Sequence, residues 1–142
     1  MLYKPFSEML SLREEEIFIR PLKSSLVMKQ VILDTDFLLQ SLRLKIDLDG
    51  ELGRILESSF QICILDKTLE ELEGKKDEQL AKSYVERLEV IATKKDKAVD
   101  ELLLEQKGNF LVATQDKELK EKLKKRNIPL ITIRNKSHLE LV

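Results

Sequence analysis

The sequence predicts an α/β fold with a mostly parallel central sheet of four to five strands and helices on both faces. Short apolar runs of strand length recur along the chain, and segments with apolar residues at helical spacing separate them. The runs are continuous rather than alternating, which is typical of strands buried on both faces. Strands that alternate with helices in this way form a parallel sheet through right-handed crossovers.

The first half of this core starts with an apolar strand at 31–33. Apolar residues at helical spacing follow it, and the acids at 34–36 are candidates for the N-cap of that helix. A second helical stripe leads to a β-branched strand at 61–65. Two helices are predicted next, a short one at 69–72 and a longer one whose inner face carries Leu80, Tyr84, Leu88 and Ile91.

The second half repeats the pattern. Asp96 is predicted to cap a helix with an apolar stripe at 99–103, and Gly108 suits the left-handed residue that ends many helices. The third strand is predicted at 110–113. Thr114 or Asp116 then caps a helix whose basic C-terminal end complements the helix dipole, and a fourth strand follows at 130–133.

The length of 142 residues predicts one domain, which we place at 28–142. Residues 1–27 do not fit the alternation and are predicted to be an N-terminal extension. Met28 directly precedes the first core strand, so translation starting there is an open alternative.

Composition excludes several classes of protein. The 25 basic and 26 acidic side chains almost cancel, so the whole chain has no field that attracts nucleic acid or membranes. The single cysteine, Cys63, lies in an apolar run and is predicted to be a small buried residue rather than a reactive thiol. No apolar stretch approaches the roughly 18 residues that span a bilayer, so we expect a cytoplasmic protein without membrane partners.

Acidic residues are predicted to gather at one edge of the sheet. Asp34 follows the first strand and Asp116 the third, while Glu71 and Asp100 lie on neighbouring helices. In a parallel sheet the carboxyl ends of the strands form the ligand-binding crevice. Clustered carboxylates need a counter-charge, and Mg²⁺ or Mn²⁺ prefers all-oxygen ligands of this kind. Hydrolysis of a phosphodiester bond is the reaction that such a site suits.

Each acid also has an ordinary explanation. Asp116 on its own reads more simply as a helix cap, and most other acids as solvated helix charges. Asp34 is harder to explain in this way, because apolar triplets flank the acidic segment that it opens.

Four segments in order resemble the PIN-domain ribonucleases, of the archaeal type that is similar to ribosomal-RNA processing PIN proteins and VapC-type toxins. They are 31–36, 68–72, 99–102 and 112–119, the last with the sequence Ala113-Thr114-Gln115-Asp116, and the resemblance runs from about Val31 to Arg134. It implies a single PIN-like domain and a divalent-metal-dependent endoribonuclease. By this resemblance Asp34, Glu71, Asp100 and Asp116 are catalytic, and Asp34, Asp100 and Asp116 bind metal.

Three further residues belong to the implied site as supports, namely Thr35, Thr114 and Glu101. Two positions depart from the family pattern: Asp36 stands where Asn is usual, and Glu101 where a second Asp is common. The first departure adds negative charge and the second lengthens a side chain, so we expect altered metal preference or rate rather than lost chemistry.

RNA must reach an acidic pocket, so basic residues should rim it. The strongest candidates by position are Arg43, Lys97, Lys117 and Arg134, with Lys45, Lys94, Lys95 and Lys136 as further candidates. For any one of them, plain solvated charge is the better explanation. Aromatic residues make up only 5% of the chain, which disfavours a base-stacking platform, and His138 lies in a terminal segment away from the acids.

Two other functions stay open at this point. One is a PIN-like scaffold that binds RNA or protein without turnover. The other is a phosphatase of the haloacid-dehalogenase type, because Asp34 and Asp36 after a strand mimic its acid pair; Leu38 departs from that pattern. The partners implied are RNA and either an antitoxin or a ribosome-assembly partner, and Tyr84 fits either the core or a homodimer interface.

Overall fold

The structure is a computed structural model that describes residues 28–142. The predicted N-terminal extension and the alternative start at Met28 therefore concern residues outside the described range and stay predictions. Six strands and six helices occupy the described residues, in the order β1 (Lys29–Leu33), α1 (Thr35–Arg43), α2 (Leu48–Ile55), β2 (Phe60–Leu65), α3 (Asp66–Leu72), α4 (Glu78–Val85), β3 (Glu89–Ile91), α5 (Val99–Leu104), β4 (Phe110–Ala113), α6 (Lys117–Lys125), β5 (Leu130–Arg134) and β6 (His138–Leu141).

The strands form one mixed sheet in the order β3-β2-β1-β4-β5-β6. Every neighbouring pair is parallel except β5 and β6, which are antiparallel. The predicted fold class, α/β with a mostly parallel sheet, is confirmed. The number of strands is six in the described residues, one more than the upper bound of the prediction.

β3 and β6, the two strands beyond the four that the sequence analysis located, lie at opposite edges of the sheet and have weak sequence signals. Leu80, Tyr84 and Leu88 follow one another at the spacing of a helix face, so the sequence predicts a helix through Ile91. The helix ends at Val85, and the next three-residue strand pairs with β2. At the other edge, β6 closes a hairpin after Asn135 and Lys136, which both adopt positive φ.

The core consists of two apolar layers, one on each face of the sheet. Successive side chains of a strand point to opposite faces, so Val31 and Leu33 pack with α1 while Ile32 packs with α5 and α6. Cys63 is fully buried on the second face, which confirms its prediction as a small core residue. Burial of both faces explains why the central strands read as continuous apolar runs.

Strand register fixes where the polar residues emerge. Leu33 at the end of β1 lies opposite Ala113 at the end of β4. The next residue of each strand, Asp34 and Thr114, therefore leaves the sheet beside the other, and the Asp34 N–H donates to the Ala113 carbonyl at 2.9 Å. Among residues 28–142, no helix combines the length and apolar character needed to cross a membrane.

Candidate active site

Asp34 is the centre of a polar network at the carboxyl ends of β1 and β4. Its Oδ1 accepts a 2.9 Å hydrogen bond from the N–H of Thr35, and through this bond Asp34 caps helix α1. Its Oδ2 accepts a 2.9 Å bond from the hydroxyl of Thr114. Thr114 is fully buried, so its hydroxyl is fixed by the packing around it. Both oxygens of this half-buried carboxylate are thereby held in place.

Thr35 connects Asp34 to the acid on α3. Its buried hydroxyl donates a 2.7 Å hydrogen bond to Oε1 of Glu71. The bond joins residues that are 36 positions apart, and it brings Glu71 to the same edge of the sheet as Asp34. The predicted supporting position of Thr35 therefore has a geometric basis in its contact with Glu71.

Asp116 reaches the site through Thr114. The Asp116 N–H donates to the Thr114 hydroxyl at 3.1 Å, while Oδ1 of Asp116 accepts from the N–H of Leu119 at 3.1 Å and caps α6. The capping role that the sequence suggested for Asp116 is confirmed. Thr114 receives one hydrogen bond and donates another, so it links Asp116 to Asp34.

The charge of Asp34 is unfavourable in this environment. Burial, and then the negative charges of Asp36 and Asp116, raise the pKa of Asp34 to about 6, although the bonds from Thr114 and Thr35 act in the opposite direction. A carboxylate with so high a pKa gains from a nearby cation, because the cation offsets both the desolvation and the repulsion.

The remaining predicted acids are less closely connected. Asp100 is half-buried in the first turn of α5, and within the described residues it makes no side-chain hydrogen bond or ion pair with the other site acids. Glu101 and Asp36 are exposed, and Asp36 faces Lys75 at 3.8 Å. In the part of the chain that the structure describes, no three His, Cys, Asp or Glu side chains lie close enough together to hold a metal ion.

Three of the four leading basic candidates are paired with carboxylates. Arg43 contacts Asp77 at 2.8 Å, Lys97 contacts Glu105, and Arg134 contacts Glu140 at 2.9 Å. Lys117 differs, since it is exposed at the start of α6 and no carboxylate in residues 28–142 lies within 4.0 Å of its ammonium group. His138 contacts Ser137 in the β5–β6 turn, in agreement with its predicted position outside the site.

The sequence interpretation gave no role to Gln115, which lies between Thr114 and Asp116. Its Oε1 accepts a 2.5 Å bond from the Thr132 hydroxyl and a 2.6 Å bond from the Ile133 N–H. The Thr132 hydroxyl in turn accepts a 2.9 Å bond from Nζ of Lys120. The only sequence signal was the position of Gln115 inside the Ala113-Thr114-Gln115-Asp116 segment.

Asp66 also follows a central strand directly, yet the structure gives it a different task. Its two oxygens accept bonds from the Thr93 N–H at 2.8 Å and the Thr93 hydroxyl at 2.6 Å. These bonds tie the start of α3 to the segment after β3. Asp66 is thus occupied within the fold, whereas Asp34 and Glu71 are joined to the polar network.

Comparison with known proteins identifies the family of this arrangement. The PIN-like domain family matches residues 31–136, from β1 into the β5–β6 turn. The chain belongs to the PIN-like domain family. Among its PIN-like relatives, Ribonuclease VapC4 of Methanocaldococcus jannaschii is 36% identical over 127 residues, with 80% of this chain and 97% of the relative covered.

A solved PIN structure supports the same assignment. The structure of the PIN domain endonuclease Utp24 superposes with a TM-score of 0.70 and 32% identity, covering 79% of this chain and 90% of that one. The resemblance to PIN-domain proteins that the sequence motifs indicated is confirmed. Both relatives are nucleases by name, one a ribonuclease and the other an endonuclease.

Proposed function

We propose that this PIN-like domain is a divalent-metal-dependent endoribonuclease that hydrolyses RNA phosphodiester bonds at Asp34, Glu71, Asp100 and Asp116. One observation carries the proposal: Asp34 is held by two hydrogen bonds in a desolvated position next to two further negative charges. The negative charge of an acid placed in this way lowers the stability of the fold, whereas a metal-binding nuclease needs that charge.

The available donors fit Mg²⁺ or Mn²⁺. They are carboxylate and hydroxyl oxygens, which hard divalent cations prefer over nitrogen or sulfur. Mg²⁺ usually keeps several waters and binds proteins through one or two carboxylates together with substrate phosphates. Since no three acids among residues 28–142 already surround an ion, a site that begins from one or two carboxylates, such as Asp34 with Asp116, suits an ion of this type better than a fully dehydrated structural ion.

Each acid then has a distinct task. Asp34 and Asp116 hold the principal ion, and Asp100 completes or shares its ligand set. Glu71, fixed by the Thr35 hydroxyl, orients the attacking water or a second ion. When bound, such an ion supplies a nucleophilic water at neutral pH and stabilises the charge that develops on the phosphate.

The rest of the polar network serves these acids. Thr114 keeps the Asp34 carboxylate and the Asp116 backbone in one arrangement. Lys117, beside Asp116 and exposed, contacts an RNA phosphate near the scissile bond. Arg43, Lys97 and Arg134 lie further along the RNA and exchange their carboxylate partners for phosphates. Glu101 and Asp36 adjust the local charge at the rim.

Family membership favours this proposal over the phosphatase alternative, since both relatives described above are named as nucleases. RNA is the substrate because the nearer relative in sequence is named a ribonuclease. An antitoxin or a ribosome-assembly factor is the protein partner that this family context suggests, and a homodimer is a further proposal. A catalytically inactive scaffold is the competing function, which the following assay distinguishes.

The test is metal-dependent cleavage of structured and unstructured RNA by the wild-type chain, Asp34→Asn and Asp116→Asn. Asn keeps the size and the helix-capping ability of Asp but removes its charge. We expect cleavage in Mg²⁺ or Mn²⁺, none in chelator, and loss of activity in both variants with the fold retained. Full activity of Asp34→Asn would overturn the assignment, and RNA binding without cleavage in either metal would favour the scaffold.

A further inference from the structure

In the turn between β4 and α6, a side-chain oxygen replaces a backbone carbonyl as the acceptor of a hydrogen bond from the sheet. The N–H of Thr114 donates to the Ile131 carbonyl at 3.0 Å, as in a regular parallel ladder. If the ladder continued, the Ile133 N–H would next donate to the Thr114 carbonyl. It donates instead to Oε1 of Gln115 at 2.6 Å. The side chain of Gln115 thus takes the place of the Thr114 backbone carbonyl.

The Gln115 contact allows the backbone of β4 to leave the sheet at Thr114, the first residue of the site on this strand. Because β5 obtains its acceptor from Gln115, the chain can leave the sheet at Thr114 without stranding a backbone donor in a buried place. The Thr114 hydroxyl then reaches Asp34, and the Asp116 N–H reaches the Thr114 hydroxyl. The departure of the chain from the sheet is what brings these groups together.

The amide of Gln115 is held in one orientation by a chain of donors. Nζ of Lys120 donates to the Thr132 hydroxyl, so the hydroxyl proton points to Oε1 of Gln115. The Ile133 N–H approaches the same oxygen, which identifies it as the carbonyl end of the amide. A cation at the end of such a chain polarises and strengthens the bonds that follow it.

We propose that Gln115 is a positioning residue of the metal site, which acts through the contacts of its side chain with Thr132 and Ile133 to fix Thr114 and Asp116 opposite Asp34. Gln115 supplies no ligand in this scheme. The inference rests on the proposed function, because it concerns the acids to which that function assigns the metal.

The experiment measures Mn²⁺ binding by calorimetry, together with RNA cleavage, in wild type and Gln115→Ala. Outer partners of metal ligands typically contribute about 10- to 100-fold to metal affinity or activity. We expect Gln115→Ala to weaken Mn²⁺ binding and lower kcat within that range while KM for RNA stays nearly constant. Circular dichroism establishes that the variant is folded. The matched control is Gln61→Ala, which removes a half-buried glutamine outside the site that contacts Glu89 at 3.4 Å near the start of β2.

A second pair of variants keeps the proposal testable if Gln115→Ala unfolds. Thr132→Val removes the hydroxyl between Lys120 and Gln115, and Thr132→Ser retains it. We expect Thr132→Val to weaken Mn²⁺ binding and Thr132→Ser to restore it, a rescue that a merely structural role of the threonine methyl would not produce. Wild-type Mn²⁺ affinity in folded Gln115→Ala, or equal affinities in the two Thr132 variants, would overturn the inference alone. Failure of wild type to bind Mn²⁺ would overturn the proposed function and this inference together.

Discussion

The hydroxyl of Thr114 donates a 2.9 Å hydrogen bond to the Asp34 carboxylate, although 80 positions separate the two residues in the sequence. The bond joins the ends of two adjacent parallel strands, and it is the point from which the other contacts of the site extend. Thr114 receives the Asp116 N–H as well, so one buried hydroxyl serves two acids.

Replacing Thr114 tests this double contact. Thr114→Val keeps the shape of the side chain but removes its hydroxyl, which leaves Asp34 without one donor and the Asp116 N–H without its acceptor. An unpaired buried polar group costs about 1–3 kcal/mol, so we expect a lower Tm together with a loss of cleavage. Thr114→Ser should retain most of both. Equal activity of the Val and Ser variants would contradict the role of the hydroxyl.

The raised pKa of Asp34 makes stability depend on pH. The pKa is about 6 in the fold against an ordinary value of 3.8, so between these limits the folded chain binds a proton that the unfolded chain has released. Stability therefore falls as pH rises through this window and levels off above it, at a cost of about 3 kcal/mol.

Asp34→Asn removes that cost, so in chelator we expect it to be more stable than wild type above pH 6 and equally stable below about pH 4. Thermal unfolding across this range measures the difference. Saturating Mn²⁺ should stabilise wild type and have little effect on the variant. If the Tm values of the two chains changed in parallel from pH 4 to 8, the charge of Asp34 would not destabilise the fold.

Glu71 and Glu70 provide a matched pair on one helix. Glu71 accepts a bond from Thr35 at the site, whereas Glu70 is exposed and pairs with Lys95 at 3.2 Å. We expect Glu71→Gln to lower kcat by about 10-fold or more, and Glu70→Gln to leave it unchanged. Single-turnover cleavage at saturating RNA measures the chemical step. A comparable loss of kcat in both variants would show that the effect comes from the net charge of the helix and not from a role of Glu71 in the site.

Lys117, which has no ion pair among residues 28–142, can be compared with Arg134, which is paired with Glu140. A lysine that neutralises a phosphate of single-stranded RNA contributes about 0.7 to the slope of log affinity against log salt. We expect Lys117→Gln to reduce the slope by that amount, and Arg134→Gln to reduce it less, because Glu140 already pairs with Arg134. Binding titrations of the Asp34→Asn background at several salt concentrations avoid turnover. An unchanged slope for Lys117→Gln would show that Lys117 does not contact an RNA phosphate.

The thiol of Cys63 should be unreactive in the folded chain. Burial, and then the charge of Glu89, raise the pKa of this thiol to about 11, and its side chain is inaccessible. Alkylating agents act on the thiolate. We expect no alkylation by iodoacetamide at pH 8 until denaturant is added, as followed by mass spectrometry. Rapid labelling of the native chain would contradict the burial of β2.

The parts of the fold that could be predicted are those with a local cause. The apolar runs of β1, β2, β4 and β5 identify buried strands, and parallel pairing then places Asp34 and Thr114 at one edge without further information. The strand β3 could not be predicted, because its Ile91 continues the spacing of the helix before it. A short edge strand owes its conformation to its pairing with β2 rather than to its own residues.

The same distinction holds within the site. Asp34 and Asp116 could be singled out because they come at or shortly after the ends of strands, and Glu71 because it lies on the helix after the second strand and also belongs to the family pattern. The contacts of Gln115 could not, since a glutamine that bonds a backbone N–H 18 positions away has no local signature. The position of Asp100, which has no hydrogen bond to the Asp34 network within the described residues, likewise depends on helix placement that sequence spacing does not determine.

Asp34 and Asp116 each cap a helix with one oxygen, which binds a backbone N–H of α1 or α6. Selection for folding alone would therefore tend to keep a helix-capping side chain, though not a charged one, at these two positions in a lineage without nuclease activity. Asparagine caps a helix equally well, so descendants that carry it at either position would have lost the charge while keeping the helix start. Glu71 caps no helix, and its replacement during evolution would be the earlier sign of a lost activity.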